Sequence, residues 1–474
     1  MSARVILLWA WATILVGHLA LVLAGPGVLA HRDMLVLDHP ALTGHALGLH
    51  DAARATPQDA VLAVIGAVVP ASWVVRLLLI AGACAAVGAA VAWARRAGAG
   101  PWATALAMLV ACWSPAVLER LAQGHWSLVL CGWLLPGIVY LGVTRRHFAQ
   151  WALMWPATLS PTGAVFAVLA GAASSRGRAL PVGVVLCLPW LVPSLVSPGA
   201  PVSAESVRAF APRDGWALFG GSGIWNADLS AGVPVWVGVA LACVLLAGWR
   251  GLPASAAFLG VVAIGVPLFA VLAPGAWEWV LTTIPGAGLA RDAHKFLLLG
   301  IPAAVILAAH IRPAPVAVVG LVLACANLVG APAQLAALRP AALDTPHSAC
   351  AEGTVFLPGA TTLIDGPLIN PWFKTTDALY PGGLRVDGVV VDKPTPEWAD
   401  ADAAWEARDL ARLHELGVGT VVDPATGECL AKPGGKPPTR WPALLLLAAW
   451  WLVIPLTAGY SRGALTATRG RTQR

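Results

Sequence analysis

The sequence predicts an α-helical polytopic membrane protein of about twelve transmembrane helices, with a small extracytoplasmic α/β domain before the last helix. Three observations carry that expectation. Hydrophobic residues fill 58% of the 474 positions and charged residues 11%, a balance that a soluble domain of this length would struggle to keep in solution. The apolar residues gather into runs of about 20, the length that spans a bilayer's hydrocarbon layer as a helix. Arginines and carboxylates lie on alternating sides of those runs, which sets a topology. The alternating strands that a barrel needs are missing.

The first run, residues 5–30, is longer than the apolar core of a cleavable signal and reads as a retained helix behind Arg4. Runs starting at 73 and 126 end in the basic pairs Arg95–Arg96 and Arg145–Arg146, with a run at 102–118 between them. Each pair closes an even crossing, as the positive-inside rule asks of a cytoplasmic amino terminus. Residues 147–174 read as two short helices that meet at Ser160-Pro161-Thr162-Gly163 and return to Arg176 and Arg178. Further crossings follow at 180–195, 233–249, 254–272, 296–310, 315–329 and 441–460, the last leading into a tail with Arg462, Arg469, Arg471 and Arg474. Residues 1–331 then form the membrane core, 332–440 the extracytoplasmic domain, and 441–474 the final helix and a cytoplasmic tail. The expected location is the cytoplasmic membrane, crossed many times, with both termini inside. Much of the +6 net charge sits in inner loops, so it is no footprint of nucleic acid.

Residues 332–440 are polar enough to fold alone. Strand-like pieces at 354–357 and 418–422 flank a helical stretch at 405–416. Of the 8 cysteines, six fall within spans and serve as small apolar packing residues. Cys350 and Cys429 alone lie outside, bracketing the domain in an oxidising compartment. A disulfide between them is the preferred reading and two unpaired thiols the alternative. No zinc spacing occurs, and no metal is expected.

Chemistry is then sought in the extracytoplasmic loops. The first opens His31-Arg32-Asp33-Met34-Leu35-Val36-Leu37-Asp38-His39-Pro40, and an ionised aspartate beside a histidine at the lipid–water boundary can act as a general base. Helix-end capping is the plainer role for either Asp33 or Asp38. Glu119-Arg120-Leu121-Ala122-Gln123-Gly124-His125-Trp126 is unusually polar for a turn between close helices. Arg120 can fork to a phosphate, Gln123 and His125 can donate hydrogen bonds, and Trp126 offers a face to a sugar ring. Alternatively Glu119 pairs with Arg120, and Trp126 joins an aromatic belt. The cluster Arg291-Asp292-Ala293-His294-Lys295-Phe296 places cations against the positive-inside trend, as an anionic headgroup would explain and as snorkelling would also explain. Trp225 belongs to a loop whose aromatic residues suit either a glycan groove or interface packing.

Taken together, these segments resemble the GT-C superfamily of polyprenyl-phosphosugar-dependent glycosyltransferases, especially the arabinofuranosyl- and mannosyltransferases of actinobacterial envelope synthesis. The likeness lies in the acidic first loop, the 119–126 turn, the 291–296 cluster and an outer domain closed by a final helix. Members often carry a tight acidic pair in the first loop, whereas Asp33 and Asp38 stand apart here. The resemblance implies an extracytoplasmic active site that moves a sugar from a polyprenyl-phosphate donor to an envelope glycan or glycolipid, with inversion and without a cofactor. It implies Asp38 first, then Asp33, as the base, because Leu37 to Pro40 leads into a helical-looking stretch at 41–53. Arg120, His125, Arg291 and Lys295 would hold the donor phosphate, and His39, Glu119, Gln123, Trp126, Trp225, Asp292 and His294 would line the substrates. A transporter or flippase, or an envelope scaffold, is the rival class; almost no ionisable residue falls deep in a span where a coupling site belongs. The lipid bilayer is a partner on every reading, and the sequence points to no protein partner.

Overall fold

A computed structural model describes residues 3–50, 53–196, 201–230, 233–386 and 388–471. Arg474 of the basic tail lies outside the described residues, as do the side chains of Arg462, Arg469 and Arg471. The chain is mostly helical. Among the described residues six helices are long and apolar enough to cross a membrane: Ala3–Leu23, Ala71–Ala97, Pro101–Gln123, Trp126–Val143, Ala254–Leu272 and Trp441–Ala458. That set fits a polytopic membrane protein. Shorter apolar helices, among them Pro161–Ser175, Leu180–Val196 and Ala314–Ala326, pack with them. Pro101–Gln123 and Trp126–Val143 are mostly buried and form the centre, while Ala3–Leu23 and Trp441–Ala458 leave most of their surface outward. Trp73, Trp102, Trp236, Trp249 and Trp441 stand exposed at helix ends, where amphipathic indoles anchor at an interface.

Several boundaries differ from the sequence reading for local reasons. The first helix stops at Leu23 because Gly25 and Gly27 take positive φ on either side of Pro26, and residues 29–31 become a strand instead. Pro115 divides the third run into Pro101–Cys112 and Pro115–Gln123, with Ser114 Oγ accepting from Val117 N at 3.3 Å. Glu119, Arg120 and Gln123 are therefore on a helix, not a turn. Residues 41–50 form turns, and the helix lies further on at Gln58–Gly66; Asp51 and Ala52 fall outside the described residues. Ser160 caps Pro161–Ser175 through its hydroxyl, separating it from His147–Ala157.

Inside a bilayer no water satisfies polar atoms, so indoles and amides do so here. Trp133 Nε1 donates to Cys112 O at 2.7 Å, Trp113 Nε1 to Leu15 O at 2.8 Å and Trp93 Nε1 to Pro136 O at 3.1 Å. Gln150 Nε2 bonds Ser174 Oγ at 2.9 Å and the carbonyls of Ile138 and Gly171. Arg76, 2% exposed, donates to the carbonyls of Leu23, Gly25 and Gly27 and so holds the broken end of the first helix.

An α/β unit precedes the last helix. Its sheet has Val418–Val422 at the centre, parallel to Thr354–Phe356 and antiparallel to Cys429–Ala431. Helices Pro396–Glu406 and Leu410–Glu415 flank it, and Phe356, Ala401, Leu413, Val418 and Val421 share one apolar cluster. Trp372, Phe373, Val355 and Val422 form a second. Cys350 and Cys429 are disulfide-bonded, their Cα atoms 6.3 Å apart.

This unit sits on the segment that follows the first helix. Residues Leu29–His31 and Met34–Val36 form an antiparallel hairpin whose turn is Arg32-Asp33, with Arg32 at φ 51. Ile369 N donates to Arg32 O at 3.3 Å, Ala41 N to Lys374 O at 2.8 Å, and Val28 and Ala341 exchange backbone bonds. Lys374 pairs with Asp59, and Arg440 with Asp377.

Candidate functional site

Helix Pro115–Gln123 ends in left-handed Gly124 (φ 97), which turns the chain abruptly into His125. A side chain there would collide with the backbone of Asp33 and Met34. Glycine thus lets the hairpin turn lie directly against the helix end, and Asp33 N donates to Gln123 O at 3.2 Å. His31 Nε2 meets Ala122 O at 2.8 Å on the neighbouring strand. The residues 291–295 approach from the other side.

These contacts assemble one polar network from three distant segments. Asp33 Oδ2 accepts from Gln123 Nε2 at 3.0 Å and lies 3.1 Å from His125 Nε2. Arg120, with no exposed surface, is forked to both oxygens of Asp292, its Nη2 lying 2.8 Å from Oδ1. Its Nε and Nη2 also reach His294 Nδ1, at 3.3 and 2.8 Å, and its Nη1 is 3.4 Å from His125 Nδ1. A guanidinium only donates, so Nδ1 of both imidazoles must accept, which leaves each ring proton on Nε2. His125 then presents its proton to Asp33, and His294 presents its own to Glu119, whose Oε2 is 3.0 Å away. That second contact is not aligned as a hydrogen bond. Glu119, fully buried, accepts from Ile224 N at 3.2 Å through Oε2 and leaves Oε1 without a partner.

Electrostatics follow the bonding. Burial alone would raise the Asp33 carboxyl, but the electrostatics and hydrogen bond of the His125 N–H, a hydrogen bond from Gln123 and the nearby Arg32 guanidinium hold it below its ordinary value. Asp292 is likewise opposed by burial, yet Arg120 and then Lys295 bring it down to about 2. Both are carboxylates at neutral pH. Asp33 makes its contacts through Oδ2, and among the described residues Oδ1 makes no hydrogen bond, on a side chain that is 36% exposed. Lys295 is within electrostatic reach of Asp292, Arg120, Arg291 and Arg54. Among the described residues it makes no hydrogen bond and no ion pair within 4 Å.

Other expected residues lie elsewhere. Asp38 caps helix Ala71–Ala97: its carbonyl accepts from Ala71 N at 2.8 Å and its carboxylate from the Ser72 hydroxyl. It bonds to neither Arg120 nor Arg291, so the first-loop carboxylate of the network is Asp33, five residues earlier. His39 is tied to Gly66 O at 2.6 Å. Trp126 is 1% exposed and packs in the core, which removes it as a sugar platform. Trp225 lies edge-on to Phe210 with centroids 4.6 Å apart, against Ala122 and Ile224. Arg291 is committed to Asp392 and Ser206, at 2.7 Å each, with its guanidinium 4.1 Å above the Phe210 ring. Burial lowers the Arg291 pKa, and Asp392 opposes that shift. Of four expected phosphate ligands, then, two guanidiniums are already neutralised by carboxylates.

Comparison with protein-family models, with curated proteins and with solved structures yields no match. Asp392, Ser206 and Asn226, which donates to Gln123 Oε1 at 3.4 Å, join the site without a motif. Among the described residues no group of three or more histidine, cysteine or acidic side chains is gathered to hold a metal. What the cluster offers is a partly exposed, oriented carboxylate that His125 links to the buried Arg120–Asp292 pair.

Proposed function

We propose that the protein is an inverting glycosyltransferase of the GT-C kind, moving arabinofuranose or mannose from a polyprenyl-phosphate donor to an envelope glycan or glycolipid. The reading takes the α/β unit and the Asp33 cluster as extracytoplasmic, about twelve crossings of the cytoplasmic membrane, and both termini inside. One observation carries it: Asp33, held ionised by His125 and Gln123, keeps Oδ1 free of hydrogen bonds among the described residues, and His125 connects it to the Arg120–Asp292 pair. Oδ1 accepts the acceptor hydroxyl's proton as that oxygen bonds the anomeric carbon. The bond from that carbon to the phosphate oxygen breaks on the opposite face, and the polyprenyl phosphate leaves with the electron pair. Lys295 balances the charge that gathers there. Arg120 orients both histidines instead of meeting phosphate.

The test uses the full chain in lipid nanodiscs with radiolabelled polyprenyl-phosphate arabinofuranose or mannose and short glycan acceptors. The Asp33→Asn variant should remain folded at the assay temperature and transfer roughly 10²–10⁴-fold more slowly. Equal transfer by the variant, or no transfer of either sugar by the wild type, would overturn the reading. A coupled transporter is the second reading, favoured by Glu119, Arg120 and His294 having no exposed surface among the helices. It requires proton- or sodium-dependent uptake that is lost in Glu119→Gln.

A further inference from the structure

A second polar feature lies where the α/β unit meets the loops of the helical core. Arg54, Arg291 and Lys393 line a small cleft that Pro201, Val202 and Thr395 help to wall. Asp392 is its one acidic lining residue, and that carboxylate already accepts from Arg291 and from Ser206 Oγ at 2.9 Å. Three cations therefore face one carboxylate that is spoken for.

The cations are differently prepared. Arg291 is fixed in place, since all its hydrogen bonds run through Nη1 and its ring contact is to Phe210; Nε and Nη2 make none among the described residues. Among the described residues Arg54 pairs only with Asp392, at 3.9 Å, from a side chain 53% exposed. Lys393 is exposed and has neither a hydrogen bond nor an ion pair among the described residues. A surface arginine at a pair distance of 3.9 Å gains little from it. One anchored guanidinium flanked by two uncommitted cations, with a net charge of +2 on the lining, suits an anionic phosphate, mono- or diester, because its tetrahedral oxygens point in different directions and a guanidinium fork and a point-charge ammonium can each engage one or more of them.

We propose that this cleft binds a phosphate group, and that it does so whether or not the protein transfers sugars. The phosphate belongs either to a soluble phosphorylated compound or to a phospholipid headgroup, since the cleft lies at the seam between the helical core and the α/β unit. Occupancy would join Arg291 of the core-side loops to Lys393 of the α/β unit through a single ligand.

The test compares the full chain with a variant carrying Arg54→Gln and Lys393→Gln, which leaves the Arg291–Asp392 pair in place. A control carrying Arg385→Gln and Lys432→Gln removes the same charge from exposed positions outside the cleft. Inorganic phosphate is titrated onto detergent-solubilised protein, followed by ³¹P line broadening, and separately the protein is placed in nanodiscs of phosphatidylcholine with or without phosphatidylglycerol, followed by melting temperature. Inorganic phosphate binding that weakens roughly 10–100-fold in the cleft variant and stays unchanged in the control supports the proposal with a soluble ligand. Stabilisation by phosphatidylglycerol that disappears only in the cleft variant supports it with a lipid ligand. Binding that the two variants lose equally, or that neither loses, or no binding by the wild type to either probe, overturns it. Loss of sugar transfer in Asp33→Asn has no bearing on these outcomes.

Discussion

Replacing Asp292 by asparagine removes the charge that Arg120 depends on, and the cost can be worked from the site. Arg120 has no exposed surface and forks to both Asp292 oxygens, while its remaining contacts are imidazole nitrogens. A carboxyl held at about 2 instead of its ordinary 3.8 corresponds to about 2.5 kcal/mol of folding free energy at neutral pH. Taking one partner from a buried pair costs about 3–5 kcal/mol, because the other charge stays behind unpaired. Asp292→Asn should therefore lose roughly 2–5 kcal/mol and melt several degrees lower in detergent. The sign of the pH dependence follows from a depressed carboxyl. Its contribution is complete above the ordinary 3.8, is lost as pH falls through about 2, and should vanish from the acid limb of the variant's melting curve. Scanning fluorimetry from pH 2 to pH 7 measures both effects. Restoring much of the stability in the double variant Arg120→Met, Asp292→Leu would complete the picture, since it removes both charges. If Asp292→Asn melts within about 1 °C of the wild type at neutral pH, the buried pair contributes nothing and the reasoning fails.

Two further predictions bear on how the site is built. Gly124→Ala combines a left-handed backbone with a clash against Asp33 and Met34, so it should cost more than about 1 kcal/mol and push the hairpin off the helix end. Transfer should fall with it, as read in the nanodisc assay, whereas Gly88→Ala, where nothing lies within 4 Å, should be silent in both. The Cys350–Cys429 bond closes a loop of 79 residues, and in the loop-entropy account its removal costs about 4 kcal/mol. Cys350→Ser should make the α/β unit the first segment cut by protease, and cleavage at wild-type rates would refute that role.

Much of the helical layout could be read from the chain because hydrophobic burial is additive along a run. Residues 254–272 carry no charge and a single hydroxyl, at Ser255, and the helix has the same limits. The Gly25-Pro26-Gly27 stop was also legible, since two glycines around a proline are ordinary helix punctuation, and the length of the run hid it. The choice between Asp33 and Asp38 was not legible. Both carboxylates share a loop, and the decision rests on the left-handed Arg32, the hairpin register and the space at Gly124. Nor could the roles of Arg120 and Arg291 be foreseen. Their carboxylate partners are 172 and 101 residues away, and no local pattern reveals that a cation is already neutralised. Residues 41–50 failed as a helix for a similar reason: Ala41 N is bonded to Lys374 O from a remote unit, and Arg440 binds Leu42 O.

The contacts between the loop after the first helix and the α/β unit impose an order on biogenesis. Asp59 meets Lys374 across 315 residues, and Leu42 meets Arg440 across 398. While the middle helices are being made, the loop that carries Asp33 already has Gln123 and His125 beside it but lacks Lys374 and Arg440, and closing so long a span is slow. The docking of the α/β unit onto that loop is thus postponed until nearly the whole polypeptide has been made, and a product truncated before residue 374 would keep the cluster's residues yet leave Asp59 without Lys374 and Leu42 without Arg440.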